Sequence, residues 1–99
     1  MNDQIKKFFD KQKEQGISEN EIQEALFVAI TSATALTLQE VDKNPKKEFV
    51  DKIKAQTANP KEFYDKLDSN TLLDEVANPQ GETFRQIFER NLLKLINEA

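Results

Sequence analysis

The feature that most constrains the fold is an uncharged stretch of fourteen residues, ALFVAITSATALTL, at positions 25–38. Ile22, Leu26 and Ile30 recur at steps of four around its beginning, as residues on one face of an α-helix do. Its threonines and β-branched residues also suit a strand, but the helical spacing and the start signal before it favour a helix. A helix that is apolar or neutral all round is usually enclosed by other elements. The sequence therefore predicts a central helix.

A helix start signal lies just before this stretch. Ser18 and Glu21 have the spacing of a capping box, in which two side chains satisfy free backbone N–H groups of the first turn. Gly16 supplies the left-handed residue that often ends a preceding helix. We therefore predict a first helix over residues 3–15 and a second helix over residues 19–43, joined by a short turn as a hairpin.

Two Asn-Pro pairs predict the starts of two further helices. Asparagine is a good N-cap, and proline suits the first helical position because its missing N–H is not needed there. The pairs are Asn44-Pro45 and Asn59-Pro60. The segments after them match once one residue is deleted, which is consistent with a duplication or with convergent capping.

The last part of the chain contains a capping cluster, a turn and a periodic helix. Residues 68–71 predict a short helix over residues 72–77, and residues 78–81, Asn-Pro-Gln-Gly, predict a turn. Apolar residues then follow at helical spacing and are interrupted by Asn91: Phe84, Ile87, Phe88, Leu92, Leu95, Ile96 and Ala99. The first helix has a smaller stripe of the same kind: Ile5, Phe8 and Phe9.

These patterns together predict the fold class and the domain organisation. Two glycines and three prolines are too few for the tight turns of a sheet protein. We expect an all-α protein, a compact bundle-like domain of four to five helices with a long central second helix. Residues 1–99 are expected to form this single domain.

The composition also limits the chemistry that the chain can perform. It contains neither cysteine nor histidine, so the usual zinc ligands are missing, and no histidine can activate Ser18, Tyr64 or Thr83 as a nucleophile. A hard cation bound by carboxylates alone is the remaining possibility for catalysis. We therefore expect a protein that is not an enzyme and that has no cofactor and no metal.

The charge pattern indicates which partners to expect. Fourteen basic and eighteen acidic residues give a net charge of −4, and they are interspersed along much of the chain without a polybasic patch, so direct nucleic-acid binding is not expected. The uncharged stretch is too short and too rich in hydroxyl groups to span a membrane. The first residues lack the apolar run of a secretory signal, so we expect a cytoplasmic protein, with export by a route without a cleavable signal left open. The usage of Lys, Asn and Glu is consistent with a bacterial or phage protein.

Acidic residues stand at both ends of the second helix. There is no basic residue between Lys13 and Lys43. The acids that we single out are Glu19, Glu21, Glu24, Glu40 and Asp42. Solvation of the helix ends is the simpler interpretation. The functional hypothesis is a small acidic protein-interaction module, such as an inhibitor, an immunity-like protein or an adaptor, that docks on a basic partner protein.

A row of small residues gives the alternative hypothesis. Ala25, Ala29 and Ala33 follow one another at intervals of four, and small side chains let a second helix approach closely. Packing inside the chain is one interpretation of this row. The other is a structural homodimer assembled through helix two, because a two-fold interface pairs the same patch with itself.

Overall fold

The computed structural model describes residues 3–98, and it describes side chains over residues 6–97. Within this range the chain forms five α-helices: α1 (Asp3–Glu14), α2 (Glu19–Glu40), α3 (Lys47–Gln56), α4 (Pro60–Asp65) and α5 (Phe84–Glu98). Two short 3₁₀ turns, Leu67–Ser69 and Thr71–Asp74, lie between α4 and α5. The predicted all-α bundle with a long second helix is therefore confirmed.

A tight connection joins α1 to α2 and follows the predicted signals. Gly16 has a positive φ of 81°, a conformation in which a residue with a Cβ is strained. Ser18 Oγ accepts a hydrogen bond from the Glu21 N–H at 3.2 Å. Helix α2 ends at Glu40, three residues earlier than predicted. The reason is Val41, which leaves the helical conformation (φ −104°, ψ 8°) and places its buried side chain in the core.

Helix α2 is covered on one side only. Its core side packs mainly against α5 and carries the buried residues Ile22, Ile30, Ala33, Thr34 and Thr37. Elsewhere on the helix, Phe27, Val28 and Leu36 are 51%, 62% and 43% exposed. The prediction that this helix is enclosed on every side is therefore wrong. The molecule measures 46 × 24 × 20 Å, so it is about two helix diameters thick and cannot surround a helix.

Three phenylalanine rings form the centre of the core. Phe63 of α4 lies 5.5 Å from Phe88 of α5, with the ring planes at 84°, and Phe84 stacks on Phe88 at 6.5 Å. Burial of each ring contributes about 1.5–3 kcal/mol. These contacts fix the short helix α4 against α5. Ile5 and Ala99, which the sequence assigned to apolar stripes, lie outside the residues whose side chains are described.

One of the two Asn-Pro helix starts is confirmed and the other is wrong. Asn59 caps α4, because its Oδ1 accepts a hydrogen bond from the Glu62 N–H at 3.2 Å. Helix α3 begins only at Lys47 and has no side-chain cap. Asn44 Oδ1 accepts from the Lys46 N–H at 2.8 Å just before the helix, and Asn44 Nδ2 donates to the carbonyl oxygen of Ala77 at 2.7 Å. The second bond ties the loop after α2 to the segment before α5.

Of the short helix predicted over residues 72–77, the structure has a single 3₁₀ turn, Thr71–Asp74, which ends three residues earlier than predicted. A second 3₁₀ turn, Leu67–Ser69, precedes it, and Arg85 of α5 binds the backbone of both turns. Its guanidinium donates to the carbonyl oxygens of Leu67 at 2.6 Å and Asn70 at 2.7 Å. Each of these carbonyls also accepts a backbone hydrogen bond at 3.3 Å, Leu67 from the Asn70 N–H and Asn70 from the Leu73 N–H. The predicted turn over residues 78–81 is confirmed by a 3.0 Å hydrogen bond between its first and last residues.

Candidate functional site

The side of α2 that points away from the core is an exposed surface, which we call the outer face. Its central residues are spaced alternately by four and three: Glu21, Ala25, Val28, Ser32, Ala35 and Gln39, with Glu24, Thr31 and Leu36 beside them. They share this face because Ile22, Ile30 and Thr37 turn the opposite side of the helix into the core. The exposure of Val28 and Leu36 makes the outer face partly apolar.

The charge of the outer face is concentrated at its N-terminal end. Glu21 and Glu24 are both exposed there, where the positive end of the helix dipole favours carboxylates. Helix α2 contains no lysine or arginine. A cation stands at the other end of the face, on the neighbouring helix: Lys94 of α5 shares a 380 Å³ hollow with Leu36 and Gln39.

The side chain of Glu40 is 34% exposed, but its carboxylate is already bound by two side chains of α5, unlike that of Glu21. Arg90 Nη2 donates to Glu40 Oε1 at 2.9 Å, and Asn91 Nδ2 donates to Glu40 Oε2 at 3.1 Å. Burial by itself would raise the pKa of Glu40, but the hydrogen bonds from Arg90 and Asn91 and the charge of Arg90 together hold that pKa below its ordinary value. Asp42 is exposed in the turn after the helix.

Glu19 faces a different part of the surface, a groove of 480 Å³ between α1, α2 and α4. The apolar residues that line the groove are Phe9, Ile22, Leu26, Phe27, Ile30 and Tyr64. Three lysines and three acids also line it: Lys6, Lys13, Lys61, Asp10, Glu19 and Asp65. Burial raises the pKa of the Tyr64 hydroxyl, and the carboxylates of Asp65 and Asp68 raise it further. Because its charges balance, the groove does not favour a partner of either sign.

The predicted alanine row passes from the surface into the core. Ala25 is exposed, Ala29 is partly buried and Ala33 is fully buried among the core residues. The cause is geometric, since each step of four residues turns about 40° around a helix. Ala33 therefore packs inside the chain, and of the three alanines Ala25 is the one left on the outer face.

The sequence did not predict the polar contact between α2 and α5. The buried side chain of Asn91 donates to Thr37 Oγ1 at 3.2 Å, and the Thr37 hydroxyl donates to the carbonyl oxygen of Ala33 at 2.6 Å. With Glu40 accepting the second amide hydrogen bond, all these groups are satisfied. An asparagine inside an apolar stripe was the signal, and its role is to hold two helices together.

Within residues 6–97, every buried side-chain nitrogen and oxygen has a hydrogen-bond partner. In the part of the chain that the structure describes, no three acidic side chains come together so as to hold a metal ion, and none of the helices there is long and apolar enough to cross a membrane. No protein-family model matches the chain, and no curated protein and no solved structure is significantly similar to it.

Proposed function

We propose that this chain is a small, non-enzymatic protein-interaction module that docks on a basic partner protein through the outer face of α2. The observation that carries the proposal is the 62% exposure of Val28 beside two exposed carboxylates, Glu21 and Glu24, on a helix without a basic residue. An inhibitor, an immunity-like protein or an adaptor acts in this way, by covering a surface of another protein.

The apolar and the charged parts of the outer face have different roles in this proposal. Complete burial of a valine or leucine side chain contributes about 1.5–3 kcal/mol, so Val28 and Leu36 supply affinity. Exposed ion pairs contribute about 0–1 kcal/mol. Glu21 and Glu24 therefore act mainly by attracting a basic partner and orienting it as it approaches.

Capture of a partner at low and at high salt tests the proposal. Replacing both acids, Glu21→Gln and Glu24→Gln, is expected to slow association about threefold to tenfold at low salt and to leave dissociation nearly unchanged. The matched control is Glu48→Gln with Asp51→Asn, which removes two exposed charges from α3. Equal slowing by the control, or no partner captured at low salt, contradicts the proposal.

The apolar centre of the outer face has its own test. Val28→Asp places a charge where we propose that contact is closest, and it is expected to abolish capture while circular dichroism stays unchanged, because Val28 lies outside the core. A Val28→Asp protein that still binds the partner with the wild-type dissociation rate contradicts the assignment of this face.

A further inference from the structure

The central row of the outer face has the spacing of a helix-pairing surface. Alternate steps of four and three are the repeat by which two helices pack side by side at a crossing angle of about 20°. Ala25, Ser32 and Ala35 are small enough to let the helices come close, and Val28 stands between them as the largest exposed apolar side chain of the row. From residue 21 to residue 39 the row is about 27 Å long. The occupant that fits such a row is another helix.

The order of residues along the row allows it to pair with the same row of a second copy whose helix runs antiparallel. With a two-fold axis between Val28 and Ser32, Val28 of one copy faces Ser32 of the other. Ala25 of one copy then faces Ala35 of the other. At the ends of the row, Glu21 of one copy meets Gln39 of the other, so a carboxylate meets an amide. A parallel pair would instead bring Glu21 against Glu21, and like charges in contact repel.

Lys94, beside the outer face, supplies a positive charge that is complementary to Glu21. Lys94 is exposed in the hollow that Leu36 and Gln39 also line, so in the antiparallel pair Glu21 of one copy approaches Lys94 of the other. Glu40 lines the same hollow, but Arg90 and Asn91 bind its carboxylate. We infer that two copies of this chain pair through the outer faces of antiparallel α2 helices, with Glu21 and Lys94 as the complementary charges. This dimer goes beyond docking on another protein, and the two occupants exclude each other.

Cysteine cross-linking tests the register, because the natural sequence contains no cysteine. The double variant Ala25→Cys with Ala35→Cys is expected to form a disulfide-linked dimer under mild oxidation. The two cysteines of one chain lie about 15 Å apart along the helix and cannot join to each other. The single variant Ala25→Cys is the control, since it cross-links only in a parallel pair. Efficient cross-linking of the single variant, or none of the double variant, overturns the inference.

A charge exchange tests the proposed contact. Lys94→Glu and Glu21→Lys are each expected to weaken dimerisation about threefold to tenfold, measured by sedimentation or light scattering, since each dimer holds the contact twice. Combining the two substitutions is expected to restore dimerisation. A wild-type protein that stays monomeric at ~100 μM, or a double variant as weak as the singles, overturns the inference.

The same variants separate this inference from the proposed docking on a basic protein. Lys94→Glu removes a positive charge from beside the outer face, so it weakens the dimer and leaves capture of a basic partner intact. If partner capture persists in a protein that never dimerises, the dimer is wrong and the proposed function stands. If the dimer forms but no basic partner is captured, the proposed function is wrong and the dimer stands.

Discussion

At the scale of single residues, Arg85 is the side chain that most clearly holds non-helical backbone in place. It is 20% exposed, and besides the carbonyls of Leu67 and Asn70 it contacts Asp74, with Nε 3.1 Å from Oδ1. The planar guanidinium reaches three acceptors at once, which a lysine ammonium on a flexible stem does not. The two 3₁₀ turns therefore depend on a residue that follows them in the sequence.

Replacing Arg85 with lysine keeps the charge but removes the planar group. We expect Arg85→Lys to lower the free energy of unfolding by about 1–3 kcal/mol, because two part-buried carbonyls each lose a charged donor and keep only a backbone N–H at 3.3 Å. Chemical denaturation measures the change. Arg90→Lys, at a more exposed position, is the comparison and is expected to cost less. Equal costs for the two variants contradict the role given to Arg85.

Glu40 gives stability a dependence on pH. Its pKa in the folded protein lies below the ordinary value of 4.5, so folding favours the ionised form, and the stability gained is present above pH 4.5 and is lost as the pH falls through the folded pKa. Glu40→Gln is therefore expected to be less stable than wild type near neutral pH, and the difference is expected to shrink on acidification. Glu62→Gln is the comparison: the hydrogen bond from Lys66 also lowers the pKa of Glu62, but the pair is exposed, so the same pH dependence is expected to be smaller there. A difference that grows as the pH falls contradicts this account.

At the scale of elements, contacts between residues that are close in the sequence were predicted well, and contacts between distant residues were not. Ser18 caps α2, because the N–H that it binds is three residues away. Asn44 has the same local pattern as Asn59, yet its amide binds the carbonyl of Ala77, thirty-three residues later. No local pattern reveals that contact. Val41 is similar, since α2 ends where that side chain enters the core.

Two threonines in α2 offer a matched pair that tests the packing of α2 against α5. The described hydrogen bond of the Thr34 side chain stays within its own helix, to the carbonyl of Ile30 at 2.7 Å, whereas the Thr37 hydroxyl also accepts from Asn91. Thr34→Val is expected to change stability by less than about 0.5 kcal/mol or to increase it, and Thr37→Val to cost about 1 kcal/mol. Thermal unfolding measures both. The reverse order contradicts the account of this contact.

At the scale of the whole molecule, the helical class was predictable but the depth of burial of each helix was not. An uncharged helix was expected at the centre of the molecule, but a body 20–24 Å thick holds two layers of helices, and enclosing one takes three. The uncharged stretch around Val28 therefore lies partly at the surface of the molecule.

The candidate site was predictable only in part. Glu21 and Glu24 are exposed as expected, because nothing on their own helix can bind them. Glu40 is only 34% exposed and its carboxylate is paired, because Arg90, fifty residues later, binds it. The apolar part of the outer face was missed, since a sequence without charges does not tell which side of a helix meets solvent.

The most direct test of the account is a nuclear magnetic resonance titration of the isotope-labelled protein with the partner captured at low salt. If the outer face of α2 is the docking surface, the largest amide shift changes fall on its residues between positions 21 and 39, and those of α3 stay unchanged. Changes concentrated in α3 and α4, with the outer face of α2 unaffected, contradict it.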